Sequence, residues 1–216
     1  SQHALIANVS TSQVNNGVAY ERFTSEGPLA MLPLADNTIA VVWTHDEAKV
    51  QAYLDMDEQA FCLALEKAFG QRLGCIEKCG ERKSYPLRLV KAEEQFRPGV
   101  LLLGNAAHSL HPVAGQGFNL AVRGVAALLA HVKQATDSGR PFETLSALAM
   151  LCRSREDDQL KTIGLSDQLV KVFGSSSPLI NVGRDLGLIG LDNAPIVKSL
   201  FASQTMGLAG KKANFG

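Results

Sequence analysis

One stretch near the middle of the chain constrains the fold more than any other. It combines an apolar run, a loop of small residues and a glycine-flanked turn that opens a long amphipathic helix. The run at 100–103 predicts a strand ending at Gly104, and Gly115 and Gly117 precede the helix. A helix N-terminus presents unpaired N–H groups and the positive end of the helix dipole. The glycines would let an electron-rich ligand lie against the backbone, and Asn105 could hydrogen-bond its hydroxyl group.

The two glycines resemble part of a dinucleotide-binding fingerprint, but the rest of that pattern is missing. Leu120 stands where the third glycine is needed, and the strand ends about eleven residues before Gly115. The Rossmann turn joins strand to helix tightly, so we reject a Rossmann site here.

Elsewhere the hydrophobic pattern predicts strands first and helices later. The first 44 residues contain strand-like runs at 4–9, 17–24, 29–34 and 38–44, with no helix between them, which favours an antiparallel sheet. Further runs predict strands at 84–90 and 100–103, and helices at 55–69, 117–133 and 141–173. We expect residues 84–92 to join the first sheet. The tail that follows the Gly/Ser-rich linker at 174–178 is expected to form one or two short helices. The fold class is therefore α+β.

Composition excludes several classes of protein. Lys plus Arg number 21 and so do Asp plus Glu, so no basic surface favours nucleic acid. The four cysteines are too few for a disulfide scaffold, and we expect free thiols. Without a signal peptide pattern or an apolar run of about 18 residues, the expected location is the cytoplasm.

The whole central stretch resembles the second flavin motif of the class A flavoprotein monooxygenases, a family of aromatic hydroxylases. The matching residues are Gly104-Asn105-Ala106-Ala107-His108, Pro112 and Gly115-Gln116-Gly117-Phe118-Asn119. Asn105 replaces the family's usual Asp and is similar to the ubiquinone-pathway branch, in particular to the 2-octaprenyl-6-methoxyphenol hydroxylases. Segments such as Tyr85-Pro86-Leu87 also resemble that branch, whereas Gly124 departs from its usual acidic residue.

The resemblance implies a fragment of an FAD/NAD(P)-binding fold and a set of cofactor contacts. FAD, reduced by NADPH or NADH, would react with dioxygen and hydroxylate a polyprenyl phenol. Backbone N–H groups near Phe118 and Asn119 would face the flavin's pyrimidine oxygen, and Pro112 would line the reacting ring. The implied cofactor-binding residues are Gly104, Asn105, Pro112, Gly115, Gln116, Gly117, Phe118 and Asn119.

The resemblance covers only the C-terminal half or so of such a monooxygenase. The motif that holds the ADP part of FAD is not found, and the chain lacks a starting Met. We therefore expect a piece of a longer enzyme, inactive by itself. We expect a substrate-binding sheet region at 1–95, the second flavin motif and its helix at 96–136, and a helical region at 137–216.

Several charged or metal-ligating residues have ordinary explanations. His108 and His111 lack a third ligand nearby in sequence, so we expect no metal. Arg123 is expected to form a structural salt bridge, and the run 153–158 a solvated helix face. The segment Tyr85-Pro86-Leu87 could line the flavin or substrate pocket, or be a strand edge packed into the core.

The tail from Pro178 carries four basic and two acidic residues among many apolar ones. It could contact the inner membrane or a ubiquinone-synthesis complex peripherally, or pack on its own domain.

Two other functions compete with the hydroxylase. One is another flavoenzyme, such as a polyprenyl reductase or a halogenase. The other is a non-catalytic interaction module.

Overall fold

The computed structural model describes residues 2–24, 26–110, 115–173 and 177–205. Contacts divide the chain into two compact units, Ser1–Arg88 with Val170–Asn181, and Leu89–Leu169 with Val182–Gly216. The elements of the first are β1 (Gln2–Thr11), β2 (Tyr20–Phe23), β3 (Pro28–Pro33), β4 (Thr38–Asp46), α1 (Glu47–Asp55), α2 (Glu58–Phe69), β5 (Ile76–Cys79) and β6 (Lys83–Leu87).

The later part of the chain contains short strands followed by long helices. They are β7 (Val90–Lys91), β8 (Phe96–Arg97), β9 (Val100–Leu101), a 3₁₀ turn (Gly104–Ala106), β10 (His108–Ser109), α3 (Gln116–Asp137), α4 (Leu145–Phe173), α5 (Pro178–Asp192) and α6 (Pro195–Thr205). The α+β prediction is confirmed, as are the helices predicted near 117–133 and 141–173. None of the helices within the described ranges is long and apolar enough to cross a membrane.

The first unit is built on one antiparallel sheet in the order β2-β3-β4-β1-β5, with β6 also paired to β1. This confirms the antiparallel prediction for the first 44 residues and for 84–87. The prediction for 88–92 is wrong, since β7 pairs with β10 instead. The register explains the change, because Leu87 already lies opposite Gln2, the first residue of β1.

Alternation along β1 places the core on one face of this sheet. Leu5, Ala7 and Val9 are buried while Ile6 and Asn8 are exposed, as expected for a strand with side chains on alternating faces. The buried face packs with Phe61 and Leu65 of α2. The side chain of Asp57 caps α2 by accepting from the Ala60 N–H at 2.7 Å.

The sequence pattern did not predict helix α1, which is stabilised at its C-terminal end by a side chain from outside the helix. The Arg82 guanidinium donates to the carbonyls of Tyr53 (3.0 Å) and Met56 at its C-terminal end. The same group lies over the Phe61 ring, 4.9 Å from its centroid. Arg82 therefore ties α1 to α2.

A buried histidine lies where β4 ends. His45 is fully buried, and its ring centroid lies 4.1 Å from that of Tyr53 and 4.3 Å from that of Trp43. Burial lowers the pKa of His45 from 6.5 to about 4, outweighing the nearby Glu26 carboxylate, which raises it. His45 is therefore neutral in the folded protein at neutral pH.

This burial predicts a specific loss of stability in mild acid. Above pH 6.5 His45 is neutral in both states and contributes no pH dependence. Between pH 6.5 and 4 the unfolded chain takes up a proton that the folded chain does not, so the free energy of unfolding falls by about 3 kcal/mol. Urea unfolding across this range measures the slope. Because the pKa of buried His108 is also lowered, His45→Phe should reduce this slope without removing it, and the matched His131→Phe should leave it unchanged. Equal slopes in all three proteins would contradict the assignment.

Candidate functional site

The loop that leads to α3 begins with a glycine in the left-handed conformation. Gly104 has φ 56° and opens the 3₁₀ turn, which the Ala107 N–H closes by donating to the Gly104 carbonyl at 3.0 Å. A Cβ at Gly104 would lie 3.6 Å from that of Ala121, an ordinary contact. Backbone conformation, rather than lack of space, therefore requires glycine here.

Asn105 presents a free amide on this turn. It is exposed, and its side chain has no hydrogen-bond partner in the part of the chain that the structure describes. The backbone around it is fixed, because the Ala107 carbonyl accepts from the Ala92 N–H at 2.8 Å and His108 pairs with Lys91. A rigid turn thus offers donor and acceptor atoms to a ligand.

The N-terminus of α3 is open. Its cap residue, Gly115, is left-handed (φ 62°, ψ 18°). No side chain within the described ranges caps the helix, and its first turn holds no acidic residue. A helix with these bounds leaves the N–H groups of Gly117 and Phe118 without intrahelical partners. Phe118 is 76% exposed, and nothing lies within 4 Å of a Cβ placed on Gly115. No side chain among the described residues therefore neutralises the positive end of the helix.

The structure brings most of the predicted site residues together. Gly104 lies beside Ala121 of α3, and a Cβ on Gly117 would lie 4.0 Å from that of Leu110. Gln116 is buried and Asn119 half-buried in the first turns of the helix. Pro112 and His111 lie outside the described residues.

His108 is buried beside the site. Burial lowers its pKa, and the positive charges of Arg155 and Lys91 lower it further. Neither ring nitrogen has a hydrogen-bond partner among the residues described. Within those same ranges, no three His, Cys, Asp or Glu side chains could share a metal ion.

Arg123 forms the expected salt bridge. Its Nε donates to the Asp158 carboxylate at 2.8 Å, and a terminal nitrogen donates to the Thr162 hydroxyl at 3.0 Å. These bonds join α3 to α4.

The expectation of a solvated face at 153–158 is wrong at Arg155. Only 5% of Arg155 is exposed, because it continues a buried stripe of α4 that begins with Leu148 and Leu151. Spacings of three and four along this stripe lead on to Gln159 and Thr162, which are also buried. That spacing was the available signal, and the surrounding charges obscured it.

Comparison with known proteins places the chain in a family. The family described as FAD binding domain matches residues 3–140, and the chain belongs to it. Ubiquinone hydroxylase UbiL of Rhodospirillum rubrum is 33% identical over 206 residues, which are 95% of this chain and 48% of that protein. The 3-demethoxyubiquinol 3-hydroxylase of Escherichia coli is 28% identical over 207 residues, covering 96% of this chain and 53% of that protein. The chain thus spans about half the length of these curated relatives.

A solved structure supports the fold. The p-nitrophenol 4-monooxygenase PnpA of Pseudomonas putida matches with a TM-score of 0.71 at 16% identity, over 98% of this chain and 53% of that one. The family match confirms FAD as the cofactor. Together with the curated relatives, it confirms the resemblance to flavoprotein monooxygenases. The open end of α3 and the free Asn105 amide fit a ligand rich in oxygen atoms.

The geometry at Gly117 predicts a defect in FAD binding alone. Because a Cβ at 117 meets only an ordinary contact, Gly117→Val should leave the melting temperature of the apoprotein nearly unchanged. The side chain would instead occupy space at the open helix end. FAD titration of the full-length protein should therefore show affinity weakened by more than about tenfold, or roughly 1.4 kcal/mol.

Gly164→Val provides the matched control, since Gly164 is also helical and has nothing within 4 Å of its Cβ position. It should bind FAD as the wild type does. An unchanged dissociation constant in Gly117→Val would show that this loop does not hold the cofactor.

Proposed function

We propose that this chain is the C-terminal part of an FAD-dependent monooxygenase that hydroxylates a polyprenyl phenol in ubiquinone biosynthesis. The observation that carries the proposal is the open, positive N-terminus of α3 beside the free Asn105 amide, in a chain that belongs to an FAD binding domain family. The names of its relatives, a ubiquinone hydroxylase and a 3-demethoxyubiquinol 3-hydroxylase, support the substrate class.

The residues of the loop would divide the binding of FAD between them. Reduced by NADPH or NADH, bound FAD supplies the activation of dioxygen. The N–H groups of Gly117 and Phe118 would donate to its pyrimidine oxygen and stabilise negative charge there, as an oxyanion hole does. Asn105 would hydrogen-bond the ribityl chain, and Gly104 and Gly115 would hold the backbone close to it. By the family resemblance, Pro112 would line the flavin ring. Asn119 would lie beside the flavin next to Phe118.

The sheet of the first unit offers an apolar face for the phenol and its tail. On the side opposite the core, Ile6 lies opposite Val42, which lies opposite Ala30, so the three share one face. Ile6 is 37% and Leu32 39% exposed. A strip of half-exposed apolar side chains suits a polyprenyl chain, which gains free energy by leaving water.

We retain the three-part division as part of the proposal. Residues 1–95 would supply this sheet face, 96–136 the flavin contacts and 137–216 supporting helices. The antiparallel sheet lies within the first range, the turn and all but the last residue of α3 within the second, and the helices from α4 onward within the third.

Isotopically labelled dioxygen tests the proposal. The flavin-loaded full-length protein, given NADPH and a polyprenyl phenol, should insert one labelled oxygen atom into the ring, as mass spectrometry would show. Saturation of a prenyl double bond or ring halogenation would favour a reductase or a halogenase instead. Flavin oxidation unaffected by any phenol would favour an interaction module.

A pair of variants tests the sheet face in the same assay. Leu32→Glu places a charge on the face, and we expect the KM for a long-tailed phenol to rise several-fold while that for a tailless phenol stays constant. Leu63→Glu, at an exposed apolar position of α2, is the matched control and should change neither. Equal effects of the two variants would remove the sheet face from the proposal.

We further propose that α5 and α6 contact a membrane surface peripherally. Exposed apolar side chains follow both helices, namely Val182, Leu186, Leu188, Ile189, Ile196, Val197, Leu200 and Phe201. Arg184 and Lys198 already pair with Asp185 and Asp192, respectively, so apolar burial would contribute more to membrane binding than charge.

Cosedimentation of the full-length protein with phospholipid vesicles tests this contact. It should persist in high salt and fall in the double variant Leu186→Ser plus Ile189→Ser. Cosedimentation of the double variant equal to that of the wild type would contradict the membrane contact.

A further inference from the structure

Three polar side chains lie in succession on the buried stripe of α4: Arg155, Gln159 and Thr162. Two have partners. Gln159 exchanges amide hydrogen bonds with Gln95 at 3.1 and 3.3 Å, and Thr162 accepts from Arg123 at 3.0 Å. Arg155 differs, because neither of its terminal nitrogens has an acceptor within the described ranges.

Gly124 of α3 determines where the Arg155 guanidinium lies. A Cβ placed on Gly124 would lie 2.5 Å from Nη2 of Arg155, closer than real side chains allow. The guanidinium therefore packs directly against the backbone of α3, in space that only a glycine leaves empty.

The charged groups around Arg155 do not neutralise it. Asp158 raises its pKa but is bonded to Arg123, and His108, which lies within electrostatic reach, has no hydrogen-bond partner of its own. Burial lowers the pKa of Arg155 from a value so high that the group stays charged. A buried, charged guanidinium without an acceptor is costly, so it marks a place where an anion belongs.

We propose that Arg155, lying against Gly124, binds an oxyanion of the carboxylate or phosphate class. The planar guanidinium offers parallel N–H donors that match the oxygen pair of such a group. The expected occupant is a small free oxyanion, for which acetate and inorganic phosphate are the probes.

The melting temperature of the chain, measured without flavin, tests this site independently of the proposed function. At constant ionic strength, added acetate or inorganic phosphate should raise it in a saturable way by roughly 2–4 °C. Arg155→Met should abolish the rise. Arg153→Met, an exposed arginine two residues earlier on the same helix, should retain it.

A second pair of variants supplies the anion from the chain itself. Gly124→Asp places a carboxylate at the guanidinium and displaces only the flexible end of Arg155, whereas Gly124→Asn has the same size without the charge. We expect the aspartate variant to melt higher than the asparagine variant and to lose the response to free anions.

A rise with acetate or phosphate that requires Arg155 supports an oxyanion site, and loss of that rise in Gly124→Asp places the site at the guanidinium. If neither ion raises the melting temperature through Arg155, the proposal fails. A higher melting temperature of Gly124→Asp alone would then show only an engineered ion pair.

Discussion

Two glycines in the left-handed conformation set the geometry of the candidate site. Gly104 (φ 56°) turns the chain into the loop after β9, and Gly115 (φ 62°) turns it into α3. Residues other than glycine rarely adopt this backbone conformation without strain. The first turn presents the Asn105 amide, and the second leaves the start of α3 without a capping side chain. The ligand-binding character of the loop thus follows from backbone geometry, with few side chains involved.

The first unit depends on β1 in a comparable way. This strand pairs with β4 on one edge and with β5 and β6 on the other, so it joins every part of the sheet. Its alternating side chains separate the sheet into a buried face, packed on α2, and a half-exposed face containing Ile6. One strand therefore provides both the core and the surface that we assign to the substrate.

The sequence predicted the elements whose pattern is local. The apolar runs at 4–9 and 38–44 and the helical spacing of Phe61 and Leu65 are read directly from the residues themselves. Helix α1 escaped prediction because Val50 is its only buried residue and its C-terminal carbonyls depend on Arg82, distant in sequence. Arg155 escaped because charged neighbours mask the stripe that buries it. The site was predicted as a ligand-binding helix start, but the resemblance, rather than spacing, identified the ligand as flavin.

The central claim is that the open end of α3 receives the flavin ring. A crystal structure of the full-length protein loaded with FAD tests this most directly. We predict a flavin pyrimidine oxygen within about 3 Å of a backbone nitrogen of Gly117 or Phe118. A flavin ring bound elsewhere, with these N–H groups facing only water, would contradict the account.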